Sequence, residues 1–205
     1  MARIIDDKLL FIHVAKTGGT FVRETFNYYG VPNRETGVYE TEDHYSLSDV
    51  LKYHDECRKY LSFGFIRHPA DWVQSRWLWA METNFQEKLQ YSEEARQHWM
   101  AEVFAPEVEL FAENILNRMP GIATKYFKNM LGLETAYEAD IIFRYEDMHD
   151  SMVKLFHLLY RSVTLEEIKA MPKYKFVKHK YDYKIDSYIR KQLELSEESL
   201  MKYYG

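Results

Sequence analysis

The 205-residue chain has a single cysteine, Cys57, which excludes an internal disulfide framework and a cysteine-rich metal site. It has no apolar run approaching the roughly 18 residues needed to cross a bilayer. Its first residues, Met1-Ala2-Arg3-Ile4-Ile5-Asp6-Asp7-Lys8, carry acids where a secretory signal would place its apolar stretch. These features predict a cytoplasmic protein with no membrane association. Positive charge is also in deficit, with 27 Lys and Arg against 32 Asp and Glu and a formal net charge of -5. That balance argues against nucleic acid or an anionic membrane surface as the general partner. Internal repeats and low-complexity linkers are missing too, so the expectation is one domain over residues 1–205, large enough to bury a full core.

What the chain does have is aromatic content, 16% of residues with 17 tyrosines. Such residues are first of all core material, and they also build stacking surfaces in clefts. The more specific feature is Phe11-Ile12-His13-Val14-Ala15-Lys16-Thr17-Gly18-Gly19-Thr20-Phe21. The apolar run Leu9 to Val14 predicts a buried strand, the Lys-Thr-Gly-Gly-Thr segment a sharp turn, and a helix follows from about Thr20. A strand that passes through glycines into a helix N-terminus gathers backbone N–H groups and the positive end of the helix dipole, which together favour an anion. Lys16 adds a positive charge, and Thr17 and Thr20 add hydroxyls. The order of residues is not G-x-x-x-x-G-K-[ST], because Lys16 precedes both glycines, and it is not G-x-G-x-x-G.

A second segment repeats this layout. Tyr60 to Ile66 predicts a strand that breaks at Arg67-His68-Pro69, where Pro69 suits the first turn of a helix. Arg67 at the strand's carboxyl end can fork onto a phosphate, or it can pair with Asp71 one helical turn on. Ser75 offers a hydroxyl two turns into the helix. A third strand is expected at Ala139 to Arg144, a capped helix from Ser46 or Ser48 to about Lys59, helical segments over Ser92 to Leu133, a helix from Glu146 to Tyr160, and a last helix from Ile185 to about Tyr203. Strands alternating with helices predict an α/β fold with a short parallel sheet covered on both faces, a three-layer α/β/α architecture. Ligands of such sheets bind outside the carboxyl ends of the strands.

In these motifs the chain resembles the sulfotransferases that use 3′-phosphoadenosine 5′-phosphosulfate (PAPS), above all the carbohydrate (heparan/chondroitin-type) group. His13 to Thr20 is similar to that family's H-x-P/A-K-T-G-G-T loop. Phe63 to Ser75 is similar to its F-x-F-x-R-[DN]-P-x(5)-S loop, with His68 where the family has Asp or Asn. Tyr145-Glu146-Asp147-Met148 resembles its Y-E-D-[LM] segment, and Tyr181 to Tyr204 its closing helix. The resemblance implies a P-loop NTPase-like sulfotransferase fold and transfer of a sulfuryl group from PAPS to a hydroxyl of a carbohydrate or small metabolite. It implies that Lys16, Thr17, Gly18, Gly19, Thr20 and Phe21 hold the 5′-phosphosulfate, and Arg67 and Ser75 the 3′-phosphate. Tyr145 is then either an adenine contact or a buried tyrosine beside a strand.

Sulfuryl transfer, like phosphoryl transfer, builds negative charge on the departing oxygen, and Lys16 is the residue to meet it. No metal is required in this scheme. The acceptor hydroxyl needs a base, for which His44 beside Asp43 is the first candidate, with His54 and Glu42 as rivals. His13 is expected to be a core histidine. The basic run Lys173, Lys175, Lys178, His179 and Lys180 closes over the 3′-phosphate, attracts an anionic acceptor, or is a solvated loop. Glu94, Glu102, Glu107 and Glu109 disfavour a heavily sulfated acceptor. Two other readings remain open: an ATP-dependent kinase of similar architecture, and a non-catalytic module that binds PAPS or adenosine 3′,5′-bisphosphate. The identity of the acceptor and the oligomeric state are not written in the sequence.

Overall fold

A computed structural model describes residues 2–36, 45–172 and 184–204. Along the chain lie β1 (Arg3–Ile5), β2 (Leu9–Ile12), α1 (Gly19–Tyr28), β3 (Asn33–Glu35), α2 (Leu47–Tyr53), β4 (Leu61–Ile66) and α3 (Pro69–Glu82). Then come α4 (Phe85–Tyr91), α5 (Glu93–Gln97), α6 (Val108–Arg118), α7 (Ile122–Leu131) and β5 (Ile141–Arg144). The chain finishes with α8 (Met148–Leu158), α9 (Leu165–Ala170), α10 (Ser187–Ser196) and α11 (Glu198–Met201). These form two compact units, Met1–Arg67 with Tyr126–Phe176, and His68–Lys125 with Val177–Gly205.

The first unit is a five-stranded sheet in the order β3-β1-β2-β4-β5. β2, β4 and β5 are parallel neighbours, and β1 runs antiparallel to both β2 and β3. The expectation of a parallel sheet therefore holds for the three strands read from the sequence and needs an antiparallel edge added. β1 escapes a sequence reading because it is three residues long. Its hairpin turns at Asp6 (φ 50) and Asp7 (φ 48), both left-handed, with Lys8 N–H bonded back to Ile5 C=O at 3.0 Å. Positive φ at both central positions marks the turn type whose twist suits two-residue hairpins, and Asp is among the few non-glycine residues that adopt it readily.

Period-two alternation sorts the strand residues onto two faces. Leu9, Phe11, Phe63 and Phe65 point to one face, where they are buried with Val22 and Phe26 of α1 and Met148, Met152, Leu155 and Phe156 of α8. Phe11 and Phe63 are register partners and stack with ring centroids 5.0 Å apart. On the opposite face Leu131 of α7 lies against Gly64, filling the space a Cβ there would take. Helices thus cover both faces of the sheet. At the amino end of β5, Asp140 accepts from the Ser62 N–H (2.7 Å) and hydroxyl (2.6 Å) and returns its own N–H to the Ser62 oxygen (3.0 Å). This closed set of bonds pins β5 against β4.

In the second unit α3, α6 and α10 pack on one another. Trp72 and Trp77 of α3 are buried, Trp72 stacks on Trp99 at 6.0 Å, and the Trp77 indole N–H donates to Ala105 C=O at 3.1 Å. Several helices are shorter than their apolar patterns predict. Strand β2 ends at Ile12 rather than Val14, the helix capped by Ser46 gives way to a 3-10 turn over Asp55–Lys59, and the last helix is broken between Ser196 and Glu198. Among the described residues no helix is long and apolar enough to cross a membrane.

Candidate functional site

Because β2, β4 and β5 are parallel neighbours with Ile12 level with Gly64 and Ile66 level with Arg144, their carboxyl ends open onto one edge of the sheet. The residues that follow them are Lys16 to Thr20, Arg67 and Tyr145. After β2 the backbone turns through left-handed conformations at Lys16 (φ 67) and Gly18 (φ 81), and α1 begins. Gly18 is required twice, by its φ and because a Cβ there would meet Met148 Sδ at 2.8 Å and Tyr145 Cε2 at 3.1 Å. Gly19 is required because the His13 imidazole occupies the place of its Cβ. His13 thus sits past the end of β2, half-buried against the turn, rather than within the strand as expected.

The first intrahelical bond of α1 runs from Val22 N–H to Gly18 C=O at 3.1 Å. The N–H groups of Gly19, Thr20 and Phe21 lie ahead of it, in the positions a helix leaves without internal acceptors. Ser46 with Asp49 on α2 and Thr164 with Glu167 on α9 close such ends with reciprocal capping boxes, and α3, α4, α6 and α8, which like α1 have no side-chain cap, carry an acid in the first turn. On α1 no side chain caps the end and no acid lies in the first turn. Thr17 is fully buried, and its hydroxyl donates to Val14 C=O at 2.8 Å. That proton is used in building the turn, so Thr17 shapes the loop, whereas the Thr20 side chain is exposed.

Arg67, directly after β4, donates from Nη1 to the backbone carbonyl of Lys16 at 3.1 Å. Its guanidinium lies over the Tyr145 ring, 4.3 Å from the centroid. Its Nε is buried without a hydrogen-bond partner, and no carboxylate pairs with it among the described residues. Burying an uncompensated donor is unfavourable, and a positive guanidinium left without a carboxylate is set up to receive an anion. Asp71, the alternative partner read from the sequence, is instead held by Arg190 through Nη1 to Oδ1 (2.6 Å) and Nη2 to Oδ2 (3.3 Å).

Within the second unit, His68 joins that ion pair. Arg190 is always a donor, so the His68 Nδ1 3.1 Å from its Nη2 is the acceptor. His68 Nε2 lies 3.3 Å from a carboxylate oxygen of Glu194. His68 is therefore wired into α10, a use no local pattern in the sequence announces. Ser75 is half-buried on α3. His44, its rival Glu42, and the basic run Lys173 to Lys180 lie outside the described residues. His54 precedes the amino end of β4, the end of the strand opposite Arg67, and its Nδ1 contacts Glu56 at 3.2 Å. Cys57 in the same segment is buried, and burial pushes its thiol up from the ordinary value, as suits a structural thiol.

No family model, curated protein or solved structure matches the chain. What the geometry can do chemically thus rests on its own residues. A turn of backbone N–H groups, a lysine at that turn and an arginine without a carboxylate on the next strand make a surface suited to a ligand with more than one anionic group.

Proposed function

We propose that the protein is a PAPS-dependent sulfotransferase with a P-loop-type fold, acting on a hydroxyl of a carbohydrate or small metabolite. The observation that carries this reading is the pair of anion-seeking features at adjacent parallel strand ends: the uncapped start of α1 after β2, and the Arg67 guanidinium after β4. In this reading the N–H groups of Gly18 to Phe21 hold the 5′-phosphosulfate and Arg67 the 3′-phosphate. The acceptor oxygen bonds to sulfur as the bond from sulfur to the phosphate oxygen breaks. Adenosine 3′,5′-bisphosphate leaves, and the acceptor's proton passes to a base, for which His44 is the candidate. The Lys16 ammonium meets the charge growing on the departing oxygen, stabilising the transition state more than the bound donor.

Calorimetric titration tests this directly. Wild-type protein is expected to bind adenosine 3′,5′-bisphosphate without metal and more tightly than ATP with Mg²⁺, and Arg67→Ala is expected to lose that preference. Tighter binding of ATP with Mg²⁺ would turn the assignment to a kinase. Bisphosphate binding with no sulfuryl transfer to any hydroxyl acceptor would turn it to a binding module.

A further inference from the structure

An arginine that must greet a phosphate has five N–H donors in one plane, and the plane has to be aimed before the ligand arrives. In this protein the aim of Arg67 is set from two sides. One edge is spent on the Lys16 carbonyl, 3.1 Å from Nη1. One face is covered by the Tyr145 ring, 4.3 Å from the guanidinium carbon. The ring itself is held: it is packed against the core beneath the sheet, and Cε2 lies beside Gly18. Tyr145 also opens the 3-10 turn Tyr145–Asp147, so its backbone is fixed by the end of β5. A planar cation on an aromatic face is attracted by the ring's quadrupole while its edges stay available to acceptors.

We propose that Tyr145 is a positioning residue, which orients the Arg67 guanidinium for the 3′-phosphate of the donor and acts on the ligand through Arg67 rather than by touching adenine. The inference rests on the sulfotransferase reading. It also ties Arg67 to Lys16, because the guanidinium that Tyr145 orients is bonded to the carbonyl of the left-handed Lys16 residue. A ring whose one face carries Arg67 and whose edge abuts Gly18 is a poor stacking platform for a base and a good rest for a cation.

The test uses calorimetry with adenosine 3′,5′-bisphosphate and with adenosine 5′-monophosphate, which lacks the 3′-phosphate. Tyr145→Phe, which keeps the ring face, should bind the bisphosphate within about twofold of wild type, and Tyr145→Leu about tenfold more weakly. The monophosphate should bind wild type and Tyr145→Leu alike. In an Arg67→Ala background, Tyr145→Leu should cause no additional loss, as expected of a residue that acts through another. If leucine does not fold, Tyr145→Met keeps bulk beside Gly18, removes the ring face and should give the same split. Equal weakening of both nucleotides, or an additional loss in the Arg67→Ala background, would overturn the inference in favour of an adenine contact or general structural damage. An unchanged bisphosphate affinity in Tyr145→Leu would overturn it outright. If wild type fails to bind the bisphosphate, the sulfotransferase reading falls first and takes this inference with it.

Discussion

The imidazole of His13 lies where a Cβ on Gly19 would stand. The two residues are therefore one packing unit: the ring at the end of the strand is seated on the bare backbone of the first helical residue. Gly19→Ala should lower stability by about 1–3 kcal/mol, because an extra methyl in a filled space forces a neighbour to move. Combining it with His13→Ala should restore most of that loss, since the ring is the obstacle. Denaturant midpoints of the two single variants and the double variant measure the coupling.

Lys16→Met keeps the length of the side chain and removes its charge. If Lys16 meets charge on the departing oxygen, turnover of PAPS in the presence of hydroxyl acceptors should fall about 10²- to 10³-fold. Affinity for adenosine 3′,5′-bisphosphate should fall much less. Release of the bisphosphate, followed by chromatography over time, reads the first quantity and calorimetry the second.

Glu197 is buried, with its carboxylate accepting from the N–H groups of Ala123 (3.0 Å) and Thr124 (2.7 Å) at the start of α7. Glutamine can offer only one acceptor oxygen there and would turn an N–H₂ toward a donor. Glu197→Ala, which leaves both N–H groups without an acceptor, should cost about 1–3 kcal/mol, seen as a lower melting temperature, and Glu197→Gln less.

The same carboxyl has a signed pH dependence. Burial raises its pKa above the ordinary value of 4.5, against the lowering effect of its hydrogen bonds. A carboxyl with a raised folded pKa favours the folded state fully below the unfolded value, and that contribution is lost as pH rises through the folded value. The melting temperature of wild type relative to Glu197→Gln should therefore fall as pH climbs from about 4.5 through the raised value. A difference that grows with pH over that window would contradict the assignment.

Arg190 joins Asp71, His68 and Glu194 across α3 and α10, with Arg190 and Asp71 partly exposed. Arg190→Ala should lower stability by about 1–2 kcal/mol, discounted for solvent screening. The gap between variant and wild type should narrow in high salt, because part of it is screened Coulomb attraction. Thermal melts at two ionic strengths distinguish this from loss of packing alone.

The parts of this protein that announce themselves in sequence are those where one residue type has one physical use. The apolar runs of β2 and β4 have no solvent face, so they read as interior strands. Gly18 and Gly19 between a strand and a helix read as a turn because other residues would be strained or crowded there. Pro69 was legible as a helix start because its missing N–H is harmless only in the first turn. What was not legible depends on pairing across distance. β1 is too short for alternation to show, and its left-handed turn uses Asp6 and Asp7, residues equally at home on any surface. The Thr17 hydroxyl looked like a donor to a ligand, and only the path of the chain turns it to Val14. Tyr145 beneath Arg67, and Arg190 beneath His68 and Asp71, are long-range meetings that no local spacing encodes.

The Arg67 bond to Lys16 joins residues 51 apart in sequence, across neighbouring strands whose register must already be zipped for the two to meet. A partly folded chain can hold either anchor but not the bond between them, because such long-range pairing forms only once loop closure has occurred. An anion that engages both therefore binds only the assembled sheet. By linkage, the bisphosphate should raise the unfolding midpoint of the whole first unit in step with its concentration. Ligand-dependent melting then becomes a gauge of complete assembly, sensitive to damage at the sheet's far edge as much as to damage at the turn itself.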